Sequence, residues 1–144
     1  MPQTAKKIAD LLAKHHLLSL ATAVDNIPQS ASLFYSYDPD THTFIVASDK
    51  TTQHIQNILQ NDIVSGTVAL ETDVIGKIQG IQFIGSIREC ESKEAMLYFE
   101  AFPYAKMMKP TLWKIELQHI KMTDNRLGFG KKLYWQREKS LDIE

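Results

Sequence analysis

The stretch Phe44-Ile45-Val46-Ala47-Ser48-Asp49-Lys50-Thr51-Thr52-Gln53-His54 carries the residue types of an anion site. An apolar run ends, a polar turn follows, and a helix pattern begins. At such a junction backbone N–H groups lack partners, and the positive end of the helix dipole lies close by. Ser48, Thr51 and Thr52 add hydroxyl donors. Lys50 adds a full positive charge, and His54 sits about one turn further in. A phosphate monoester needs this combination of converging donors and a cation. Asp49 is the awkward member and must point away. The plainer reading of the same residues is helix capping by Ser48 or Thr51.

The other candidates for chemistry are weaker. His15, His16, His42, His54 and His119 are dispersed, without the spacing of a metal site. No metal ligand set is assigned. No Ser-His-Asp arrangement stands out. Cys90 lies between Glu89 and Glu91, which should raise its thiol pKa and quench nucleophilicity. Gly128-Phe129-Gly130-Lys131-Lys132 lacks the spacing of a phosphate-binding P-loop.

The elements that must position the turn follow from periodicity. Residues 4 to 16 read as a helix, with Thr4 able to cap and Ile8, Leu11, Leu12 and His15 on one stripe. The period then changes to two. Leu18, Leu20, Thr22 and Val24 share one strand face. Residues 25 to 28 read as a turn. In the strand from 29 to 37, Leu33, Tyr35 and Tyr37 face one way and Ser30, Ser32, Phe34 and Ser36 the other. A third strand spans Thr43 to Ala47, which completes an antiparallel meander. Ile55, Ile58 and Leu59 then mark a short helix. Strands follow at 63 to 70 and 77 to 89, with Gly66, Gly80 and Gly85 marking sharp curvature. Residues 92 to 102 read as a helix capped by Ser92, with Ala95, Met96, Phe99 and Phe102 on one side and Pro103 as its stop. In the strand from Thr111 to Met122 the alternation slips near Gln118-His119, the signature of a β-bulge. A last strand carries Phe129, Leu133 and Trp135, and the charged tail from Gln136 is expected to fray. The pattern predicts one domain over residues 1–144, mainly β with three short helices, in a closed or half-open antiparallel barrel.

Composition narrows the partners. The net charge of -1 argues against nucleic acid, because phosphate neutralisation needs a positive excess. Lys106, Lys109, Lys114, Lys121, Lys131 and Lys132 crowd the last third, as a solvated basic face or a local anion site. Lys6, Lys7 and Leu17 to Val24 loosely mimic a signal peptide, but Asp10, Lys14, His15 and His16 interrupt it. No apolar run is long enough to cross a bilayer. With a single cysteine as well, the chain reads as cytoplasmic, with no membrane partner.

The order of elements resembles the flavin-binding split barrel of the pyridoxamine phosphate oxidase superfamily. The matching pieces are the first helix with Leu17-Leu18-Ser19-Leu20-Ala21-Thr22, then Pro28 to Tyr35, then Phe44 to Lys50. Gly80-Ile81-Gln82-Phe83-Ile84-Gly85 and the segment Lys121 to Lys132 look like a small bacterial branch. The resemblance implies a Greek-key split β-barrel, a homodimer and bound flavin mononucleotide (FMN). It implies that Ser48, Lys50, Thr51 and Thr52 hold the phosphate, with His54 or a lysine of a partner subunit as support. The ring would lie along Ser30, Ala31, Ser32, Leu33 and Phe34, with Gln82 and Trp113 as further contacts; as large aromatics, Trp113 and Trp135 also read as core or interface. Pyridoxine-phosphate oxidases carry a stronger Arg/Lys cluster after the third strand, so that substrate does not follow. Three functions stay open: a redox enzyme using FMN, a non-catalytic flavin or haem binder, and a dimeric interaction module with an empty cleft.

Overall fold

The computed structural model describes residues 3–138. Helix α1 (Gln3–Lys14) buries Ala5, Ile8, Leu11 and Leu12 and ends before His15. Strands β1 (Leu17–Val24) and β2 (Ile27–Asp38) form a hairpin whose turn is only Asp25-Asn26. Both turn residues have positive φ, 52° and 65°. That is the left-handed geometry a two-residue hairpin demands and that Asp and Asn tolerate. Ile27 and Pro28, expected in the turn, therefore belong to β2. Strand β3 (Thr43–Ala47) completes the meander.

After β3 the chain crosses through α2 (Gln53–Gln60) and enters β4 (Ile63–Ala69), which pairs with β1. Strands β5 (Gln79–Glu89) and β6 (Leu112–Asp124) continue antiparallel, and β7 (Lys132–Gln136) lies last. The order is β3-β2-β1-β4-β5-β6-β7, with β3 also pairing β6. The β3–β6 contact closes six strands into a barrel, and the β3-to-β4 crossover makes it a Greek key. The expected split barrel is the observed architecture.

One edge of β6 pairs with β5 along nearly its whole length. Its other edge is divided, with residues 112–116 against β3 and 119–123 against β7. Register shifts at this division: Ile84 faces His119, but Gly85 faces Leu117, leaving Gln118 as the extra residue. This is the bulge expected near Gln118-His119. The Arg137 guanidinium fills the split, donating to the carbonyls of Leu117, Thr41 and His42. Gln136 and Arg137 are thus held rather than frayed; residues 139–144 of the expected tail lie outside the described residues.

Phe44, Phe83, Tyr35 and Tyr37 form an aromatic centre, with Phe44 within 5.3 Å of each other ring. The Tyr35 hydroxyl donates to the Leu12 carbonyl near the end of α1, and burial pushes its pKa up. Several side chains depart from the expected pattern. Leu59 and Met96 face solvent, whereas Asn57 and Tyr98 are buried. Helix α3 (Ser92–Ala101) is capped by Glu91, not Ser92, through a reciprocal box with Glu94. Pro103 opens a 3-10 segment (Pro103–Met108) directly after α3. Phe129 sits exposed in the loop before β7, not in the strand. Among the described residues no helix is long and apolar enough to cross a membrane.

Gly66 gives a direct test of this packing. A Cβ there would collide with the Ser19 carbonyl oxygen and the Phe83 ring, whereas at Gly76 it would meet nothing within 4 Å. Gly66→Ala should cost about 3 kcal/mol in urea unfolding, and Gly76→Ala less than about 0.5 kcal/mol.

Candidate functional site

The turn after β3 is pinned at its first residue. Ser48 N–H donates to the Thr111 carbonyl, and the buried Trp113 indole N–H donates to the Ser48 carbonyl at 2.9 Å. Trp113 is 3% exposed, so its indole braces the turn from inside the barrel. Asp49 then turns back on the chain. Its carboxylate accepts from the Thr51 amide at 2.9 Å and the Thr51 hydroxyl at 3.0 Å. Those bonds hold the Asp49 carboxyl below the ordinary carboxylate range. Thr51 is therefore spent on Asp49. The Thr52 hydroxyl donates to the Asp49 carbonyl at 2.8 Å.

Three polar atoms nonetheless converge behind the tip. Ser48 Oγ shares a hydrogen bond with His54 Nε2, and Thr52 Oγ1 lies 3.3 Å from the same nitrogen and 3.4 Å from Ser48 Oγ. Burial lowers the His54 pKa, so the imidazole is neutral at pH 7. No side chain caps α2, whose N-cap is Thr52. The plainer reading, capping by Ser48 or Thr51, is not the observed geometry. Lys50 extends into solvent and approaches Glu89 at 3.4 Å. The carboxylate beside the Lys50 ammonium is that of Glu89. Behind the tip the chemistry is that of a hydrogen-bonding cradle of Ser48, Thr52 and His54, with Lys50 and Asp49 as the charged groups at the tip itself.

Helix α2 is fixed over the barrel by Asn57, a residue the sequence reading passed over. Its amide donates to Thr22 Oγ1 at 3.0 Å and to Gln29 Oε1 at 3.2 Å. Strand β3 leaves β2 after the Val46–Tyr35 pair, so the turn emerges beside Phe34. Phe34 in turn packs on Phe102 at 5.5 Å.

The ring-binding candidates lie on β2. Ser30, Ser32 and Phe34 face outward, whereas Ala31 and Leu33 alternate inward, Leu33 against the core. Registers extend the outward residues into two rows. One runs Ser32, Ser19, Thr67, Gln82, Lys121, Tyr134. The other runs Ser30, Ala21, Ser65, Ile84, His119, Gln136. A shallow depression of about 520 Å³ follows these rows from Ser30 to Lys121. Gln82 shares this face with Ser32 but stands three strands away. The small floor residues Ser19, Ala21, Ser65 and Thr67 were missed; the period-two pattern of β1 and β4 places them on the outward face. A cavity of about 870 Å³ lies elsewhere, between α3 and the outer face of β3 and β6. Its lining mixes the acidic Asp38, Asp40, Glu91, Glu94, Glu100 and Glu116 with the basic Lys93, Lys114 and Arg137, a net acidic wall.

The chain is 37% identical over 139 residues to a UPF0306 protein of Klebsiella pneumoniae, covering 94% of this chain and 95% of that one. It is 36% identical over 139 residues to the UPF0306 protein YhbP of Escherichia coli, covering 94% and 99%. No protein-family model matches the chain. Among solved structures, a haem-binding protein from Mycobacterium smegmatis superposes with a TM-score of 0.77 at 15% identity, over 94% of this chain and 59% of that one. An FAD-binding protein from Mesorhizobium loti gives 0.67 at 16%, over 81% and 89%. A pyridoxamine 5′-phosphate oxidase candidate from Listeria innocua gives 0.65 at 15%, over 83% and 98%. These likenesses are of fold. The sequence identities show that the chain belongs to the UPF0306 family.

Burial also lowers the pKa values of His15 and His42. A depressed histidine binds fewer protons folded than unfolded, so its stabilising effect is lost as pH falls. Stability should therefore decline from about the unperturbed value of 6.5 downward. His54→Asn should flatten that decline in urea unfolding measured between pH 7.5 and 5.5; an unchanged pH slope contradicts a neutral, half-buried His54.

Proposed function

We propose that this UPF0306 protein binds FMN at the Ser48–His54 turn and serves redox chemistry as a cytoplasmic homodimer. The carrying observation is the Ser48, Thr52 and His54 convergence at an uncapped helix start. The residues present fit the cofactor in two respects. A phosphate can take the Ser48 hydroxyl, the Thr52 hydroxyl once it leaves the Asp49 carbonyl, and the first amides of α2, which no side chain occupies. The Ser and Ala floor on β1 and β2 leaves the backbone open to a flat ring. When bound, the flavin ring supplies electron or hydride transfer.

The protein's own part is binding and orientation. Trp113 and Thr111 fix the Ser48 backbone, so its hydroxyl is aimed before ligand arrives. His54 enters as a neutral imidazole sharing a hydrogen bond with Ser48. A phosphate dianion beside it favours the imidazolium, so binding takes up a proton. Lys50, exposed beside Glu89, would be the charged residue to hold the phosphate. Asp49 opposes the phosphate electrostatically while its hydrogen bonds to Thr51 keep the turn in shape.

Flavin fluorescence titrations test these roles. Lys50→Ala should weaken FMN binding about tenfold, the low end for a charge-assisted hydrogen bond. Riboflavin, lacking the phosphate, should bind the parent more weakly and ignore the substitution. Asp49→Asn keeps an acceptor for Thr51 but removes the opposing charge, and should strengthen FMN binding roughly twofold to fivefold. Equal FMN affinities across all three proteins would place the phosphate elsewhere.

A further inference from the structure

The groove between the β1–β2 hairpin and α2 is built around one buried amide. Asn57 is 7% exposed. Its Nδ2 donates to Thr22 Oγ1 at 3.0 Å and to Gln29 Oε1 at 3.2 Å, and its Oδ1 accepts from Gln53 Nε2 at 2.9 Å. The three carboxamides form a ladder, Gln53–Asn57–Gln29, from the first turn of α2 to β2. At the far end of α2, Asn61 Nδ2 donates to the Ala23 carbonyl at 2.9 Å. The two walls of the groove are therefore tied together before any ligand arrives.

A carboxamide carries both a donor and an acceptor. In the ladder Gln29 uses its carbonyl and Gln53 its NH2 group. The ends then present Gln29 Nε2 as a donor and Gln53 Oε1 as an acceptor. Among the described residues neither atom makes another hydrogen bond. Reversing the ladder exchanges the two and still leaves one of each. Both glutamines are exposed and open into a cavity of about 520 Å³, within the size range of small-molecule sites. Val24, Ile27 and Pro28 supply its apolar wall, and Ile27 is 70% exposed. The one charged residue on the lining is acidic, Asp25, and no cation stands there to hold an anion.

We propose that this groove binds a small, neutral, flat ring carrying a carboxamide or lactam edge, an N–H donor beside a C=O acceptor. Gln29 donates to the ligand carbonyl, Gln53 accepts from the ligand N–H, and Val24, Ile27 and Pro28 cover the ring. A carboxylate on the same ring sets an acceptor against the Gln53 acceptor and a negative charge near Asp25, so it is rejected. The assignment goes beyond the function proposed above and does not rest on it.

Three probes of nearly equal size test it: benzamide, acetophenone and benzoate. Each is titrated at millimolar concentration into the nitrogen-15-labelled full chain, with the side-chain amide signals of Gln29, Gln53 and Asn57 followed by NMR. Benzamide should move the Gln29 and Gln53 signals. It should bind about fivefold to tenfold more tightly than acetophenone, which lacks the N–H. Benzoate should bind more weakly than either. Gln53→Met removes the acceptor, so benzamide should fall to the level of acetophenone while acetophenone keeps its affinity. Gln29→Met removes the donor, so both should weaken alike. Both positions are exposed, and backbone spectra matching the parent's verify that the variants fold. Benzamide that moves none of the three signals overturns the proposal. So does benzamide that binds no better than acetophenone or benzoate, or that keeps its affinity in Gln53→Met.

Discussion

Strand β6 must satisfy three neighbours with two edges, and the bulge at Gln118 is how it does so. Residues 112–116 hold β3 and thereby close the barrel. Residues 119–123 hold β7 and thereby extend the sheet. Between them, backbone groups would be left without partners, which is costly in a buried strand. The Leu117 amide donates to His42, the Gln118 carbonyl accepts from the Arg137 amide, and the Arg137 side chain takes the carbonyls that remain. One inserted residue and one arginine thus settle the hydrogen bonding of the split.

The functional geometry descends from that arrangement. Because β3 is locked to β6 through the Ala47–Leu112 pair, Ser48 emerges where Thr111 and Trp113 can hold it. Because β3 parts from β2 after Val46, the turn opens beside Phe34 and the small outward residues of β2. Helix α2 then crosses back over β1 through Asn57, bringing His54 beneath Ser48. The Ser48–His54 turn and the small-residue floor are both placed by the strands that this closure fixes, the depression over the floor being lined by no residue of the turn.

Much of this was legible in the sequence because it is local. Period-two alternation marked β1 to β3, and the slip at Gln118-His119 marked the bulge. Gly66 and Gly85 signalled close approach, and the structure places carbonyl oxygens of Ser19 and Glu116 against them. What escaped depends on partners distant in the chain. Asn57 carried no signal because its acceptor, Thr22, is 35 positions away. Leu59 and Met96 fit an apolar stripe by spacing but fall on the solvent side once α2 and α3 dock. Arg137 read as tail charge because its acceptors lie on two different strands. At the candidate site, residue types suggested donors, but not that Asp49 would hold both donors of Thr51. Nor did they separate Trp113, which buttresses the turn from inside, from a residue touching the ligand.

The central claim is that two copies of this chain enclose one FMN each at the Ser48–His54 turn. Native mass spectrometry of the purified protein, before and after incubation with FMN and with haem, reads it most directly. The account predicts a dimer carrying two FMN molecules, retained in preference to haem and released as one species on unfolding. A monomer that takes up neither ligand, or a dimer in which haem displaces FMN, contradicts it.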